Sequence, residues 1–395
     1  MNHYGQISAN SMIYLPDNVL CQILYYCDAE TLAASYMVSR KFKFEATIAI
    51  TTISKYLMKK YYSERIFKSP YYIKPSNLML LKSVTGKRIF VIRGFITYVL
   101  NIKNGQWKRC ADTRRDRGYF AAVWFRGEIF AIGTYSVIAA GTVEKFNTFA
   151  NCWIPGPSLP LKLRSACAAV LNDKLYVLGG HDAFSESYSD TIFTYHEGSM
   201  RKRPLYQHVC NSDETWILSE SRLMKPRSRH AAVGFEGRIW IVGGCFENNT
   251  IVTKSVEIFD PITGKCVKGP SLTTRRDFSN LIVVLGLLYA VGGDVNDEGT
   301  QAIRTIEVFD KCMNTWRIVT AFKDERRGFS TSAIGSKIYI FGGSSDEHYE
   351  LNTWDAYDVT QNQWDSDLYN KYEKMPLIDC WGQAVTVPPD DIQWG

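Results

Sequence analysis

The amino-acid sequence predicts a mainly β protein, a six-bladed β-propeller with C-terminal strand closure, preceded by a small α-helical domain. Three observations support this prediction. A four-strand pattern recurs from about residue 78 onwards, and a lone apolar strand follows its last copy. Residues 13–65, in contrast, contain almost no glycine and place apolar residues three and four apart, which is typical of helices.

Each copy of the pattern is anchored by a Gly-Gly pair that closes a short apolar strand. The pairs end at Gly180, Gly244, Gly293 and Gly343, and the later steps are about 50 residues long. A second apolar run precedes each pair, and an alternating strand such as VEIFD follows it, in most copies before a Trp. A sheet of four such strands cannot bury both of its faces alone, so the copies must stack around a ring.

Two weaker copies precede these four. RGYFAAVWFRGEIFAIGT, from Arg117, keeps only Gly133 of the pair, and KRIFVIRG, ending at Gly94, has no first strand of its own. The segment Cys380–Val387 (CWGQAVTV) has the character of that missing strand. Pairing the two ends of the repeat region would close the ring and remove a free sheet edge.

These patterns give the domain boundaries. The helical domain is assigned to 13–65, a linker to 66–77, and the propeller to 78–388, with blades at 78–110 plus 380–387, 117–155, 164–218, 229–268, 276–318 and 327–366.

The apolar strand, Gly-Gly pair, aromatic-acid strand and Trp resemble the repeats of the Kelch family, over about three-quarters of the chain. The resemblance implies a propeller that binds other proteins. The sequence departs from the family pattern at Thr134 and Arg93, which replace glycines, and at Cys266, which stands where the Trp belongs.

The helical segment LPDNVLCQIL…DAETLAASYMVSRKF looks like an F-box. That resemblance implies docking to a ubiquitin-ligase adaptor, and hence to a cullin. The residues that would make this contact are Leu15, Pro16, Leu20, Ile23, Leu24, Leu32 and Val38. The segment also fits a BACK-like helical segment, or a helical cap without a partner.

The first functional hypothesis is therefore the substrate-recognition subunit of an SCF-type (cullin-RING) ubiquitin ligase, with the propeller binding the client protein. The alternative is a Kelch protein-interaction scaffold, cytoskeletal or similar to BTB-Kelch proteins, without a ligase role. A Kelch-type enzyme is the third hypothesis, and we expect the chain not to be an enzyme.

Arginine recurs in the loops that lead into the first strands, which should converge on one face of the ring. Guanidinium groups bind carboxylate or phosphate bidentately, so this face is predicted to bind an acidic or phosphorylated client. The predicted client-binding residues are Arg117, Arg164, Arg227, Arg229, Arg276 and Arg327. The alternative is that such arginines only pair with the loop of a neighbouring blade.

Other classes of function have little support. The ten cysteines show no CxxC spacing and the six histidines form no ligand pair, so we expect no metal and no cofactor. A net charge of +6 without a basic run does not argue for nucleic acid, and the longest apolar run, Leu281–Val291, is too short to span a membrane. Scattered cysteines in apolar stretches favour a reducing compartment, the cytoplasm or nucleus.

Overall fold

The computed structural model describes residues 88–148, 150–197, 214–246, 251–295, 302–345, 351–365, 373–376 and 381–387. The chain divides into two units, Met1–Thr85 and Gly86–Gly395, and every described residue belongs to the second unit. The predicted start of the propeller at residue 78 lies outside the described residues. The predicted helical domain at 13–65 lies outside the described residues.

The described residues form six four-stranded antiparallel sheets and contain no helix. Sheet 1 contains β1 (Arg88–Arg93), β2 (Ile96–Asn101), β3 (Gln106–Arg109) and β29 (Gln383–Val387). Sheet 2 contains β4 (Ala121–Phe125), β5 (Glu128–Ile132), β6 (Val143–Asn147) and β7 (Cys152–Pro155). Sheet 3 contains β9 (Cys167–Leu171), β10 (Lys174–Leu178), β13 (Thr191–His196) and β14 (Thr215–Arg222).

The remaining sheets repeat this plan. Sheet 4 contains β15 (Ala231–Phe235), β16 (Arg238–Val242), β19 (Val256–Asp260) and β20 (Lys265–Gly269). Sheet 5 contains β21 (Asn280–Val284), β22 (Leu287–Val291), β23 (Thr305–Asp310) and β24 (Thr315–Ala321). Sheet 6 contains β25 (Ser330–Ile334), β26 (Lys337–Phe341), β27 (Trp354–Asp358) and β28 (Gln363–Trp364). Short loop strands are β8 (Leu163–Arg164), β11 (His181–Asp182), β12 (Ser187–Tyr188), β17 (Cys245–Phe246) and β18 (Ile251–Val252).

The position of a strand in its sheet explains its residue pattern. The second strand, such as β16 (RIWIV), is covered by neighbouring sheets on both faces, so its last four residues are all buried. The fourth strand, such as β14 (TWILSESR), lies at the outer edge of its sheet, and apart from buried Trp216 its residues are exposed or half-buried. The continuous apolar runs of the sequence therefore become the inner strands of the sheets.

The two ends of the repeat region meet in sheet 1. Strand β29 pairs antiparallel with β1, from Arg88 opposite Val387 to Ile92 opposite Gln383, as the sequence predicts. First strands of successive sheets also pack against one another in a cycle: β4, β9, β15, β21, β25, β29 and back to β4. The hydroxyl of Thr386 donates to the carbonyl oxygen of Ala333 (2.9 Å), which ties β29 to sheet 6. This arrangement is that of a β-propeller.

The Gly-Gly pairs lie where the end of one second strand meets the loop that leads into the next sheet. A Cβ atom on Gly243 would lie 2.2 Å from the carbonyl oxygen of Arg276, and one on Gly244 would lie 2.5 Å from that of Ser228. Both glycines also have positive φ, 65° and 86°. Only glycine fits these positions, and it allows the Gly244 N–H to donate to Arg276 across the sheet boundary (2.9 Å).

A membrane-crossing helix, judged by length and apolar character, does not occur in the described part of the chain.

Candidate functional site

In each sheet the residue two positions before the first strand has left-handed backbone geometry, with φ between 45° and 65°. We call these six residues, one from each lead-in loop, the central ring. They are Trp381, Tyr119, Ser165, Arg229, Phe278 and Gly328, for sheets 1 to 6 in order. Left-handed geometry costs a non-glycine residue about 1 kcal/mol or more, and such strain concentrates at binding sites.

Main-chain hydrogen bonds join the central ring from sheet to sheet. The N–H of Ser165 donates to Tyr119 (2.8 Å), that of Arg229 to Ser165 (3.0 Å), and that of Phe278 to Arg229 (2.8 Å). The N–H of Trp381 donates to Gly328 in the same way (2.6 Å). Residues of different sheets therefore lie side by side around one centre.

Three aromatic side chains of the central ring meet there. The ring centroids of Phe278 and Trp381 lie 4.5 Å apart, and Tyr119 lies 5.0 Å from Trp381 and 5.6 Å from Phe278. All three side chains are partly exposed. The indole of Trp381 lies over Gly328, where a Cβ atom would come within 2.9 Å of it. Sheets 1, 2 and 5 thus build a half-buried aromatic surface that no single sheet could form.

Arg229 adds a positive charge to this surface. Its guanidinium carbon lies 4.8 Å from the centroid of the Phe278 ring, within the range of a cation–π interaction. Its Nη1 lies 3.5 Å from a carboxylate oxygen of the buried Asp277. The Arg229 side chain remains 21% exposed, so part of it is open to a ligand.

Three of the predicted client-binding arginines have a different role. Arg117, Arg227 and Arg276 are at most 1% exposed. Each donates to the carbonyl oxygen of the glycine that follows the second strand of its sheet, at 2.7 Å from Arg117 to Gly133 and 2.7 Å from Arg276 to Gly292. A buried guanidinium group held in this way does not reach the surface. The predicted client contact is therefore corrected to a structural one for these three residues.

Each of these arginines also pairs with a buried acid on the third strand of its sheet. Arg117 lies 2.9 Å from Glu144 and Arg276 lies 2.5 Å from Glu307, and Arg227 pairs with Glu257. Arg326 pairs with Asp355 at 2.7 Å in the same way, although this acid is half-buried rather than buried. We call each such pair a staple. The arginine of each staple stands two positions before a central-ring residue; the four are Arg117, Arg227, Arg276 and Arg326.

The acid of a staple binds the lead-in loop at a second point. Glu144 accepts the N–H of Arg114 (3.0 Å), Glu257 that of Met224 (2.8 Å), and Glu307 that of Thr273 (2.8 Å). Burial lowers the pKa of Arg276, and the charge of Glu307 acts in the opposite direction. The staples thus fix the lead-in loop that presents the central ring.

Sheet 3 has an apolar version of the staple. Leu163 stands two positions before Ser165, and Phe193 occupies the place of the acid on the third strand; both are 1% exposed. Pro160, which has no N–H, stands where the other loops donate to the acid. Compared with the other sheets, the arginine, the acid and the donating N–H are all replaced by apolar groups in sheet 3. No charge or donor is therefore left unpaired at this site.

The other predicted arginines are partly exposed. Arg164 donates from Nε to His181 (3.2 Å) and pairs with Glu186 (3.2 Å). The backbone of Arg327 bridges to Ser344. Arg229 alone among the six belongs to the central ring. The predicted adaptor-binding residues Leu15, Pro16, Leu20, Ile23, Leu24, Leu32 and Val38 lie outside the described residues.

Sequence reasoning missed the aromatic surface and the staple acids. The acids are visible in the sequence as the second residue of VEKFN, VEIFD, IEVFD and WDAYD. An acid inside an otherwise apolar strand signals a buried partner, and the recurring arginine is that partner.

Comparison with known proteins agrees with the architecture. The Kelch motif matches residues 162–197, 226–273, 275–323 and 325–366, which fall within sheets 3 to 6. Alpha-scruin of Limulus polyphemus is 25% identical over 300 residues, 72% of this chain and 30% of that protein. Kelch-like protein 23 of Homo sapiens is 27% identical over 246 residues, 59% of this chain and 40% of that protein. The matched regions thus span less than half of these relatives.

The solved structure of YjhT has a TM-score of 0.55 and 14% sequence identity, and the match covers 69% of this chain and 90% of that one. At this identity the similarity concerns the fold alone.

The apolar arrangement in sheet 3 provides a reference for testing how much a staple contributes to stability. Arg276→Leu should lower the free energy of unfolding by about 3–5 kcal/mol, because it leaves Glu307 buried without its cation. The triple variant Thr273→Pro/Arg276→Leu/Glu307→Phe copies Pro160, Leu163 and Phe193 of sheet 3 and should recover most of that loss. Urea unfolding of the two variants and the unchanged protein measures both effects. A triple variant as unstable as the single one would contradict this interpretation.

Buried His230, which follows Arg229, makes stability depend on pH. Burial, and then the charge of Arg227, lower the pKa of His230 to about 3. Between pH 6.5 and 3 the histidine is therefore protonated in the unfolded chain but neutral in the folded one. The free energy of unfolding then falls with decreasing pH, and this residue contributes about 1.4 kcal/mol per pH unit to the fall.

The matched variant is His230→Phe, because Phe120 and Phe329 occupy the same position in sheets 2 and 6. Its free energy of unfolding should fall less steeply with decreasing pH than that of the unchanged protein. Urea unfolding at pH 7, 6 and 5 compares the slopes. Equal slopes would show that the proton uptake belongs to other residues.

Proposed function

We propose that this Kelch-repeat protein is a protein-interaction module whose six sheets are the blades of one closed propeller and whose central ring binds a partner protein. The observation that carries the proposal is the aromatic surface of Tyr119, Phe278 and Trp381 with Arg229 beside it. The Kelch motifs and the Kelch-repeat relatives support a role in protein interaction.

The chemistry of the central ring suits a protein partner. Large aromatic residues and arginine supply most of the binding energy at protein interfaces, because they bury much area around a few fixed side chains. The three aromatic rings are already held by one another and by the hydrogen-bonded backbone of the ring. Little conformational entropy is then lost on binding. The proposal assigns the chain no reaction of its own and places it in the cytoplasm or nucleus.

Two substitutions in the central ring test this proposal. Trp381→Ala removes the indole that contacts both Tyr119 and Phe278, and Arg229→Glu reverses the charge of the partly exposed guanidinium group. Each should weaken a specific partner by about tenfold or more, since central aromatic and arginine residues contribute about 2 kcal/mol or more at interfaces. Quantitative affinity purification, followed by titration with the partner so identified, measures the loss.

Lys103→Glu is the matched control. Lys103 is exposed in the turn between β2 and β3, at the end of its sheet opposite the lead-in loops, so its charge reversal should leave the partner bound. Equal binding by all variants, each shown to be folded, would contradict a role for the central ring.

A second candidate is a substrate receptor of an SCF-type ubiquitin ligase, with the central ring presenting a client. The observation in its favour is the F-box-like sequence at residues 13–65, beginning with Leu15 and Pro16. In this role the protein would act by position, raising the concentration of its client near the conjugating enzyme.

A binding assay with purified ligase adaptor separates the two candidates. If the receptor hypothesis holds, the intact chain binds the adaptor, Leu15→Ala/Pro16→Ala abolishes binding, and Trp381→Ala leaves it unchanged. If the intact chain binds neither adaptor nor cullin, the receptor hypothesis is wrong and the scaffold without a ligase function remains.

A further inference from the structure

A cleft of about 300 Å³ lies beside the lead-in loop of sheet 2, away from the aromatic surface. One side is formed by the loop itself and the other by the start of β6 and the residues that follow β7. Its lining residues are Arg114, Arg115, Thr142, Val143, Glu144, Pro155, Gly156 and Ser158.

Two guanidinium groups at this cleft are available to a ligand. Arg114 and Arg115 are both exposed, and neither side chain forms an ion pair or hydrogen bond with another described residue. The one acid in the lining, Glu144, is already engaged by Arg117 and by the N–H of Arg114. The charge of Glu144 is matched by that of buried Arg117, so Arg114 and Arg115 leave the lining of the cleft with a net positive charge.

The other repeats do not have this arrangement. The positions of Arg114 and Arg115, three and two residues before the staple arginine, correspond to Thr273 and Thr274 in sheet 5. In sheet 3 they correspond to Pro160 and Leu161. Adjacent arginines are therefore not required to hold a lead-in loop. Burial lowers the pKa of Arg117, and the nearby charge of Arg115 acts in the same direction.

We propose that this cleft binds an oxyanion carried by a peptide segment, with Arg114 and Arg115 as its bidentate donors. The forked geometry of arginine matches both the carboxylate of an acidic side chain and the phosphate of a phosphorylated one. Val143, Pro155 and Gly156 provide apolar wall for the peptide next to the charged group. The site is separate from the central ring and does not depend on a partner binding there.

The test uses the full chain and three labelled peptides of one sequence, Gly-Ala-X-Ala-Gly, in which X is phosphoserine, glutamate or serine. Fluorescence anisotropy should show binding that weakens with salt for the phosphoserine peptide, the glutamate peptide or both, and none for serine. Preference for phosphoserine identifies phosphate as the oxyanion, preference for glutamate identifies carboxylate, and equal binding of these two peptides shows that the cleft accepts either oxyanion. Binding by none of the peptides, or equally by the serine peptide, overturns the proposal.

Arg114→Thr/Arg115→Thr installs the pair found in sheet 5 and should weaken binding by about tenfold or more, because two charge-assisted contacts are lost. Arg275→Thr is the matched control: Arg275 is exposed in the lead-in loop of sheet 5 but does not line the cleft. Unchanged binding in the double variant, or an equal loss in the control, overturns the proposal.

Arg114→Lys/Arg115→Lys keeps the charge without the fork and should lose less affinity than the threonine variant. If the threonine variant does not fold, the lysine variant tests the role of the two arginines in its place. Trp381→Ala should leave peptide binding unchanged, so that failure of this site and failure of the central ring are distinguished.

Discussion

The staple between a buried arginine and a buried acid is the interaction on which the rest of this structure depends. In sheets 2, 4, 5 and 6 it joins the end of the second strand, the third strand and the lead-in loop at one point. Burying both charges is costly, and their attraction offsets the cost because further hydrogen bonds satisfy many of the remaining donors and acceptors. The Nε atoms of Arg227, Arg276 and Arg326 are buried without a hydrogen-bond partner among the described residues, so part of the cost remains. Sheet 3 reaches the same geometry with Leu163, Phe193 and Pro160, which shows that shape and pairing matter here rather than charge itself.

The staples explain how the central ring can carry strained residues. Tyr119, Phe278 and Trp381 have left-handed backbone geometry that is unfavourable for aromatic residues. Tyr119 and Phe278 keep it because a staple ties each of their lead-in loops to its sheet. The N–H of Phe278 also donates to Arg229 and that of Trp381 donates to Gly328, so these two residues are held to the neighbouring sheets. The result is a preformed aromatic surface on a rigid support, with Arg229 as its charged neighbour. Such a surface favours recognition of a protein rather than chemistry on a small substrate, and it carries the proposed role in protein interaction.

Much of the architecture could be predicted from the sequence. The Gly-Gly pairs indicate where two backbones come close together, and the apolar runs indicate the inner strands of the sheets. The pairing of β29 with β1 followed from a first strand missing in the N-terminal repeat and a lone strand left over after the last one. The roles of the arginines did not follow, because sequence position places Arg276 and Arg275 on one loop without saying which side chain turns inward. The aromatic surface was also missed, since Tyr119, Phe278 and Trp381 belong to repeats far apart in the chain and meet only at the centre.

Native-state hydrogen exchange tests the central claim most directly. Although they lie in loops, the amides of Ser165, Arg229, Phe278 and Trp381 donate to neighbouring lead-in loops. If the staples hold the central ring, these amides exchange as slowly as those of the inner strands, through global unfolding. Arg276→Leu then selectively speeds the exchange of Phe278. Exchange of all four amides at the rate of ordinary exposed loops in the unchanged protein would contradict the account.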